Sequence, residues 1–147
     1  MSFDFVYNKG LSRRHIETAE EFIATARTAL EHGLLVAFVD NLFSAAELLA
    51  KAVLLCEFSD ADFRRKATHK AIQSRFNRFA HLGNVHPEYV ETFNKLANLR
   101  YPTRYLESSL SLSRVEGQAM LTSLEGMLES TRRLVTHESN PKNPQRK

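Results

Sequence analysis

The segment from 34 to 57 constrains the fold more than any other part of this chain. It reads LLVAFVDNLFSAAELLAKAVLLCE. Four of its polar side chains fall on one narrow strip at helical spacing: Asp40, Ser44, Glu47 and Lys51. Most of the remaining circumference is apolar, which indicates a helix that its neighbours cover on several sides. We therefore predict a central helix over this segment, against which the other elements pack.

The rest of the chain also predicts helices. Five glycines and four prolines among 147 residues interrupt few segments, and no stretch alternates as a strand does. The other predicted helices run from an N-cap at Ser12 to Gly33, from about Lys66 to Leu82, from Pro87 onward, and from about Arg114 to Thr136. We expect residues 1–11 to be irregular. The prediction is an all-α fold in one domain.

Charge is distributed unevenly along the chain. Residues 1–63 carry five basic and ten acidic side chains, residues 64–104 carry nine and two, and residues 105–147 carry six and five. The net charge of +3 therefore hides a middle segment with a net charge of +7. We call residues 64–104 the basic segment. Such a segment attracts a polyanion, such as nucleic acid or the phosphate of a nucleotide.

One arginine of the basic segment stands where the helical pattern calls for an apolar residue. Arg100 is in line with Tyr89, Phe93 and Leu96, at spacings of four, three and four residues. Its side chain should therefore point toward the interior or an interface, where a guanidinium needs a partner or a wet cleft. Two interpretations stay open. Either Arg100 pairs with a carboxylate of the central helix for structural reasons, or it belongs to a binding site.

Pro102 is predicted to end this helix, because its ring clashes with the carbonyl four residues earlier. The break would present two arginines and two tyrosines together: Arg100, Tyr101, Arg104 and Tyr105. Arginine forks suit phosphate oxygens, and tyrosine rings can stack on bases. We expect Lys70 and His69 to contribute to an anion-binding cleft, and Glu47 or Asp40 to pair with Arg100 or orient it.

Several other kinds of site are disfavoured. The chain has no glycine-rich phosphate loop, and its six histidines form no ligand pair typical of zinc, so we expect no cofactor and no metal. The lone cysteine, Cys56, lies in an apolar run and forms no internal disulfide. No apolar run reaches the length of a membrane span, and the first residues lack the order of a signal peptide. We expect a cytoplasmic protein that does not enter a membrane.

The chain resembles the HEPN domains, which are small helical domains found widely in prokaryotic nucleotide-related and toxin–antitoxin systems. The resemblance covers roughly residues 12–106 and rests on three pieces: NLFSAAELLAKAVLL, THKAIQSRFNRFAHLG and LRYPTRY. It implies an up-and-down bundle of four main helices plus a fifth C-terminal helix. This bundle would form a single domain over residues 1–138, followed by a disordered polar tail over residues 139–147.

The piece LRYPTRY is similar to a family motif of an arginine, four residues and a histidine. Arg100 matches the arginine, and Tyr105 occupies the place of the histidine. In the ribonuclease members of the family, the arginine and the histidine meet across a dimer and support metal-independent attack of a 2′-hydroxyl on the adjacent phosphate. A tyrosine side chain has a pKa of ~10, so it is a poor substitute in acid–base catalysis near neutral pH.

The resemblance therefore implies a nucleotide- or RNA-binding module without catalytic activity. It also implies a homodimer, and it suggests a nucleotidyltransferase-like protein as a partner. Two alternatives stay open. One is a toxin-like ribonuclease, metal-independent, with Arg100, Tyr105 and His69 as catalytic candidates. The other is a helical adaptor whose basic segment docks an acidic protein.

Overall fold

The computed structural model describes residues 3–57, 68–83, 85–104 and 111–138. Within them the chain forms five helices and no strand: α1 (Phe3–Glu31), α2 (Leu35–Glu57), α3 (His69–His81), α4 (Pro87–Arg104) and α5 (Arg114–Glu138). The predicted all-α bundle of four main helices plus a fifth is confirmed. None of the described helices combines the length and the hydropathy that a membrane span requires. The tail predicted for residues 139–147 lies outside the described residues.

α2 is the central helix, as its nearly continuous apolar circumference predicts. It packs against each of the four other described helices. Phe38, Leu42 and Leu49 are completely buried along it, and Ala45 and Ala46 let the neighbouring helices approach closely. Each buried leucine or phenylalanine contributes roughly 1.5–3 kcal/mol relative to an exposed one. The core is thus built around α2. The side chains of its polar strip, Asp40, Ser44, Glu47 and Lys51, are partly buried.

α1 begins earlier than predicted. The irregular segment expected over residues 1–11 is helical from Phe3, and Ser12 is completely buried in the helix instead of capping it. The Ser12 hydroxyl donates to the carbonyl of Ala52 on α2 at 3.0 Å, and the Cys56 thiol donates to the Ser12 oxygen at 3.7 Å. Because its hydroxyl bonds to groups on α2, Ser12 does not act as an N-cap for the backbone N–H groups of α1.

The turn from α1 to α2 follows the prediction for Gly33. Gly33 has a φ of 70°, a conformation that costs glycine little. The N–H of Leu34 donates to the carbonyl of Ala29 at 2.8 Å, and the N–H of Gly33 donates to that of Leu30 at 3.1 Å. This pair of bonds is the Schellman pattern, which satisfies the last carbonyls of α1. The tight turn packs α2 antiparallel to α1.

Hydroxyl side chains define the starts of α3 and α5. The Thr68 hydroxyl accepts the N–H of Ala71 at 3.1 Å, so α3 begins at His69. Before α5, Ser113 and Glu116 form a capping box, in which each side chain accepts the other's N–H, at 3.0 and 2.9 Å. The hydrogen bonds from Ser113 lower the pKa of the Glu116 carboxyl. The start of α5 at Arg114 agrees with the prediction.

α4 continues through Pro102 to Arg104, so the prediction that Pro102 ends the helix is wrong. The fixed φ of proline, near −65°, matches that of a helix, and its missing N–H removes one hydrogen bond. That loss falls in the last turn of α4, where little helix remains to be disrupted. Arg100 consequently stands on a regular helix, in line with the completely buried Phe93 and Leu96.

Candidate anion-binding site

Two carboxylates on α2 lie near the contacts with α3 and α4. Asp40 and Glu47 are two turns apart, and Phe43 lies between them on the same strip. Ser44 donates its hydroxyl to the Asp40 carbonyl at 3.0 Å, within α2. Both carboxylates and the ring of Phe43 contact side chains of α3 or α4.

Arg100 of α4 contacts the first carboxylate and the ring. Its Nε lies 3.4 Å from Oδ1 of Asp40, and its Cζ lies 4.9 Å from the centroid of the Phe43 ring. The side chain is only 21% exposed, and Nε is buried without a hydrogen-bond partner among the described residues. A carboxylate and an aromatic face therefore hold the guanidinium at its Nε side. Its terminal nitrogens form the part of the fork that can turn toward a ligand.

Glu47 pairs with His69 and not with Arg100. Its Oε2 contacts Nδ1 of His69, the first residue of α3. The Glu47 side chain is 17% exposed, whereas that of His69 is 62% exposed. A carboxylate at Nδ1 favours the tautomer that carries its proton on that nitrogen, and this leaves Nε2 as a hydrogen-bond acceptor. The pair is therefore a carboxylate–imidazole dyad with an accessible ring.

Phe43 stands between Arg100 and His69. The His69 ring meets it edge-on, with centroids 5.9 Å apart, while the guanidinium lies over its face. Both distances are measured to the centroid of the Phe43 ring. The distance from the His69 ring centroid to Cζ of Arg100 therefore cannot exceed their sum. Phe93 packs 5.9 Å from Phe43, and Phe76 packs 5.6 Å from Phe93. This buried aromatic group fixes the spacing of the two polar pairs.

The structure brings together part of the residue set predicted from the sequence. Arg100 and His69 lie on either side of Phe43, and Glu47 joins them through His69. Lys70 is exposed on α3. The side chains of Tyr101 and Arg104, and the whole of Tyr105, lie outside the described residues.

Phe43 was not predicted to belong to the site, because it lies in the largely apolar circumference of the central helix. Its position was nevertheless visible in the sequence. It lies three residues after Asp40 and four before Glu47, so helical spacing places it between two carboxylates. A cation is attracted both by carboxylates and by the face of an aromatic ring, so this spacing offers a cation two kinds of contact on one helix face.

A cleft of about 550 Å³ opens beside Arg100, at the start of α2. Its lining consists of Leu34, Leu35, Val36, Ala37, Val39, Asp40, Asn41 and Arg100. The walls are mostly apolar, and Leu34 at the rim is 58% exposed. Asn41 donates its amide to the carbonyl of Ala37 at 2.7 Å. Apolar walls with a few convergent polar groups, at this volume, are typical of small-molecule sites.

Further basic side chains are exposed on the helices that carry His69 and Arg100. Lys70 and Arg78 are exposed on α3, and Lys95 is exposed on α4. Within the described part of the chain, no three histidine, cysteine, aspartate or glutamate side chains come together as metal ligands.

The comparison with known families agrees with the all-α fold. A model of the HEPN domain matches residues 12–134, a range that contains Asp40, Phe43, Glu47, His69 and Arg100. No curated protein and no solved structure matches the chain significantly. The family match extends the resemblance inferred for residues 12–106 into α5. Because it covers most of the chain, this protein belongs to the HEPN domain family of helical, nucleotide- and RNA-associated modules.

Proposed function

We propose that this HEPN domain binds a phosphate group of a nucleotide or of single-stranded RNA at Arg100. The observation that carries the proposal is the placement of Arg100 beside the cleft. Its Nε side faces Asp40 and Phe43, and Nε itself has no hydrogen-bond partner among the described residues. A guanidinium held in this way is preorganised, and its planar fork matches the oxygens of a phosphate.

The surroundings of Arg100 supply the other parts of such a site. The mostly apolar walls of the cleft can cover a base or a ribose next to the bound phosphate. The exposed Lys70 and Arg78 extend the positive charge along α3, which suits the further phosphates of a strand. Arg104, Tyr101 and Tyr105 belong to this proposal through the family motif.

Substitution of Arg100 tests this proposal. Fluorescence anisotropy with labelled single-stranded RNA, at fixed salt, should show that Arg100→Ala weakens binding about tenfold or more, since a charge-assisted bond contributes ~1.5–3 kcal/mol. Arg100→Lys keeps the charge but not the fork, so it should restore only part of the affinity. The control is Arg133→Ala, which removes an exposed arginine of α5 outside the basic segment.

Two results of this experiment would contradict the proposal. One is RNA binding by Arg100→Ala that equals binding by the unmodified protein. The other is an equal loss of affinity in the Arg133→Ala control, which would show that only net charge matters. A thermal melt of each variant accompanies the binding curves. A change in the fold is thereby separated from a change in the site.

We also propose that the protein acts as a homodimer in the cytoplasm, with a nucleotidyltransferase-like partner. HEPN domains often dimerise. The exposed Leu34 and Val36, which line the cleft, are apolar side chains at its outer edge, so a second protomer packed there would form a further wall of the same cleft. The nucleotidyltransferase-like partner is supported by the family resemblance alone. Co-purification of the two proteins from cells that produce both tests that part.

A second candidate function is metal-independent cleavage of RNA, and the contact between Glu47 and His69 favours it. In such a reaction Nε2 of His69 takes the proton of a 2′-hydroxyl, and the 2′-oxygen forms a bond to phosphorus. The bond from phosphorus to the 5′-oxygen breaks, and that oxygen takes its proton from the imidazolium. Arg100 would stabilise the charge on the phosphate oxygens. The products are a 2′,3′-cyclic phosphate and a 5′-hydroxyl.

Product analysis separates the two candidates. If the dyad is catalytic, the unmodified protein yields 2′,3′-cyclic phosphate ends in the presence of a chelator, and His69→Asn abolishes them. Glu47→Gln should then reduce the rate and alter its pH profile, because the carboxylate orients the imidazole. If RNA binds at Arg100 but stays intact, the protein is a binding module, as the tyrosine in the family motif implies.

A further inference from the structure

A second cavity lies between α3 and α4, with a volume of about 830 Å³. We call it the α3–α4 groove. Its lining consists of Asn77, Ala80, His81, Gly83, Val85, His86, Pro87, Val90, Glu91 and Asn94. Among the described residues it shares no lining side chain with the cleft at Arg100. It is therefore a separate surface of the basic segment.

Amide side chains join the two helices beneath the groove. The Asn77 and Asn94 amides donate to each other's oxygens, at 3.0 and 2.8 Å. Gln73 also donates to the Asn94 oxygen at 2.7 Å. These bonds between side chains hold α3 and α4 at a fixed spacing. The groove is consequently preformed, which reduces the entropic cost of binding.

His86 presents a hydrogen-bond donor of fixed identity at the groove. Its Nδ1 accepts the N–H of Glu88 at 3.2 Å, in the manner of an N-cap for α4. A ring nitrogen that accepts a hydrogen bond carries no proton, so the neutral ring is protonated at Nε2. The ring also packs 5.5 Å from that of Tyr89. The cap and the ring contact together fix an Nε2–H donor.

Glu91 supplies the complementary acceptor. Its carboxylate is exposed and lines the groove, and no lysine or arginine of the described residues lines it. A carboxylate on the wall of the groove repels phosphate, so the groove does not suit the charged part of a nucleotide. Val85 and Val90 provide apolar surface instead. A ligand in the groove can therefore meet a donor from His86 and an acceptor from Glu91, which suits an uncharged molecule that both donates and accepts hydrogen bonds.

We propose that the α3–α4 groove binds an amine-bearing nucleobase, with cytosine and adenine as the preferred ligands. In both bases an exocyclic amino group stands beside an unprotonated ring nitrogen. The Glu91 carboxylate accepts from the amino group, and His86 Nε2–H donates to the ring nitrogen. Uracil presents the reverse pattern, a carbonyl beside an N–H, and is disfavoured. The choice of a nucleobase rests on the proposed function, whereas the donor–acceptor pattern does not.

Free nucleosides test this proposal separately from the phosphate contact of Arg100, because they carry no phosphate and because the resonances of the groove residues report binding at the groove. We would titrate the full 16.8 kDa chain with cytidine and with uridine and follow backbone amide resonances by NMR. The nucleosides would be used at millimolar concentrations, as suits ligands of this size. Cytidine should shift the resonances of Val85, Val90 and Glu91, bind several-fold more tightly than uridine, and be insensitive to salt.

Three variants assign the contacts. His86→Asn keeps a good N-cap but loses the distal donor, and Glu91→Gln keeps the size of the side chain but loses its charge. Each should weaken cytidine binding by roughly tenfold with an unchanged melting temperature, the effect expected for one charge-assisted or buried hydrogen bond. Glu88→Gln is the control, because Glu88 is exposed on the same turn and does not line the groove.

The proposal is overturned if cytidine and uridine bind equally, if neither shifts the groove resonances, or if Glu91→Gln binds cytidine normally. Glu91 does not cap α4, so Glu91→Gln should leave the fold intact. This variant therefore tests the groove contact even if His86→Asn lowers the melting temperature. Arg100→Ala should bind cytidine as the unmodified protein does. Loss of RNA binding in that variant with retained cytidine binding supports both proposals. Cytidine binding without any phosphate-dependent RNA binding would contradict the proposed function alone.

Discussion

His15 should make the protein less stable as pH falls. Its ring is partly buried in α1, and Nε2 is buried without a partner among the described residues. Burial lowers the pKa of His15 from 6.5 to about 4, and the nearby charges of Lys51 and Arg14 add to this effect. The unfolded chain therefore takes up a proton near pH 6.5, and the folded chain takes it up only near pH 4. Folding free energy is lost between these two values as pH falls.

The size of the effect follows from the pKa difference. The full shift corresponds to about 2 kcal/mol lost between pH 7.5 and pH 5, at ~1.4 kcal/mol per pKa unit. The ring is partly exposed, so solvent screening reduces this to about 1 kcal/mol. Other groups also contribute to the pH dependence of the unmodified protein. The effect of His15 is therefore the difference between that protein and His15→Gln, which keeps a polar side chain but does not titrate.

Urea unfolding at pH 7.5 and pH 5 measures this difference. The unmodified protein should lose about 1 kcal/mol more than His15→Gln on acidification. The control is His81→Gln, which replaces an exposed histidine and should lose as much as the unmodified protein. Equal losses in His15→Gln and the unmodified protein would refute the reasoning, as would stability that rises on acidification.

Two further predictions concern a buried hydrogen bond and the assembly. The hydroxyl of Thr92 donates to that of Ser123 at 2.9 Å in a buried contact. Thr92→Val should therefore destabilise the fold by about 1–2 kcal/mol in urea unfolding. The double variant Thr92→Val with Ser123→Ala should cost less than the sum of the costs of the two single variants. If the cost of the double variant equals the sum of the single costs, the bond contributes nothing. Light scattering at micromolar concentration should report twice the 16.8 kDa mass, and Leu34→Glu should halve it. A monomeric unmodified protein would contradict the homodimer.

The position of α2 could be predicted because it depends on one local property. A helix that is apolar on most of its circumference has to be covered on several sides, whatever the rest of the chain does. The end of α1 was equally predictable, because Gly33 adopts a backbone conformation that costs other residues more. Such features are decided within a few residues. The sequence therefore predicted the helix order and the family.

The features that could not be predicted depend on neighbouring helices. Ser12 resembles an N-cap, but its hydroxyl finds the carbonyl of Ala52, forty residues later in the chain. Glu47 was a candidate partner of Arg100, but the position of α3 against α2 gives that carboxylate to His69, and Asp40 takes the arginine. Spacing along one helix identifies a face. It does not identify the residue that an adjacent helix places against it.

The salt dependence of RNA binding tests the central claim most directly, namely that Arg100 contacts a phosphate. Each phosphate contact on a single strand contributes about −0.7 to the slope of log affinity against log salt concentration, because it releases a counterion. The slope for Arg100→Ala should therefore be shallower than that of the unmodified protein by about 0.7, and the slope for Arg133→Ala should be unchanged. Equal slopes for the unmodified protein and Arg100→Ala would contradict the account, whatever the two affinities are.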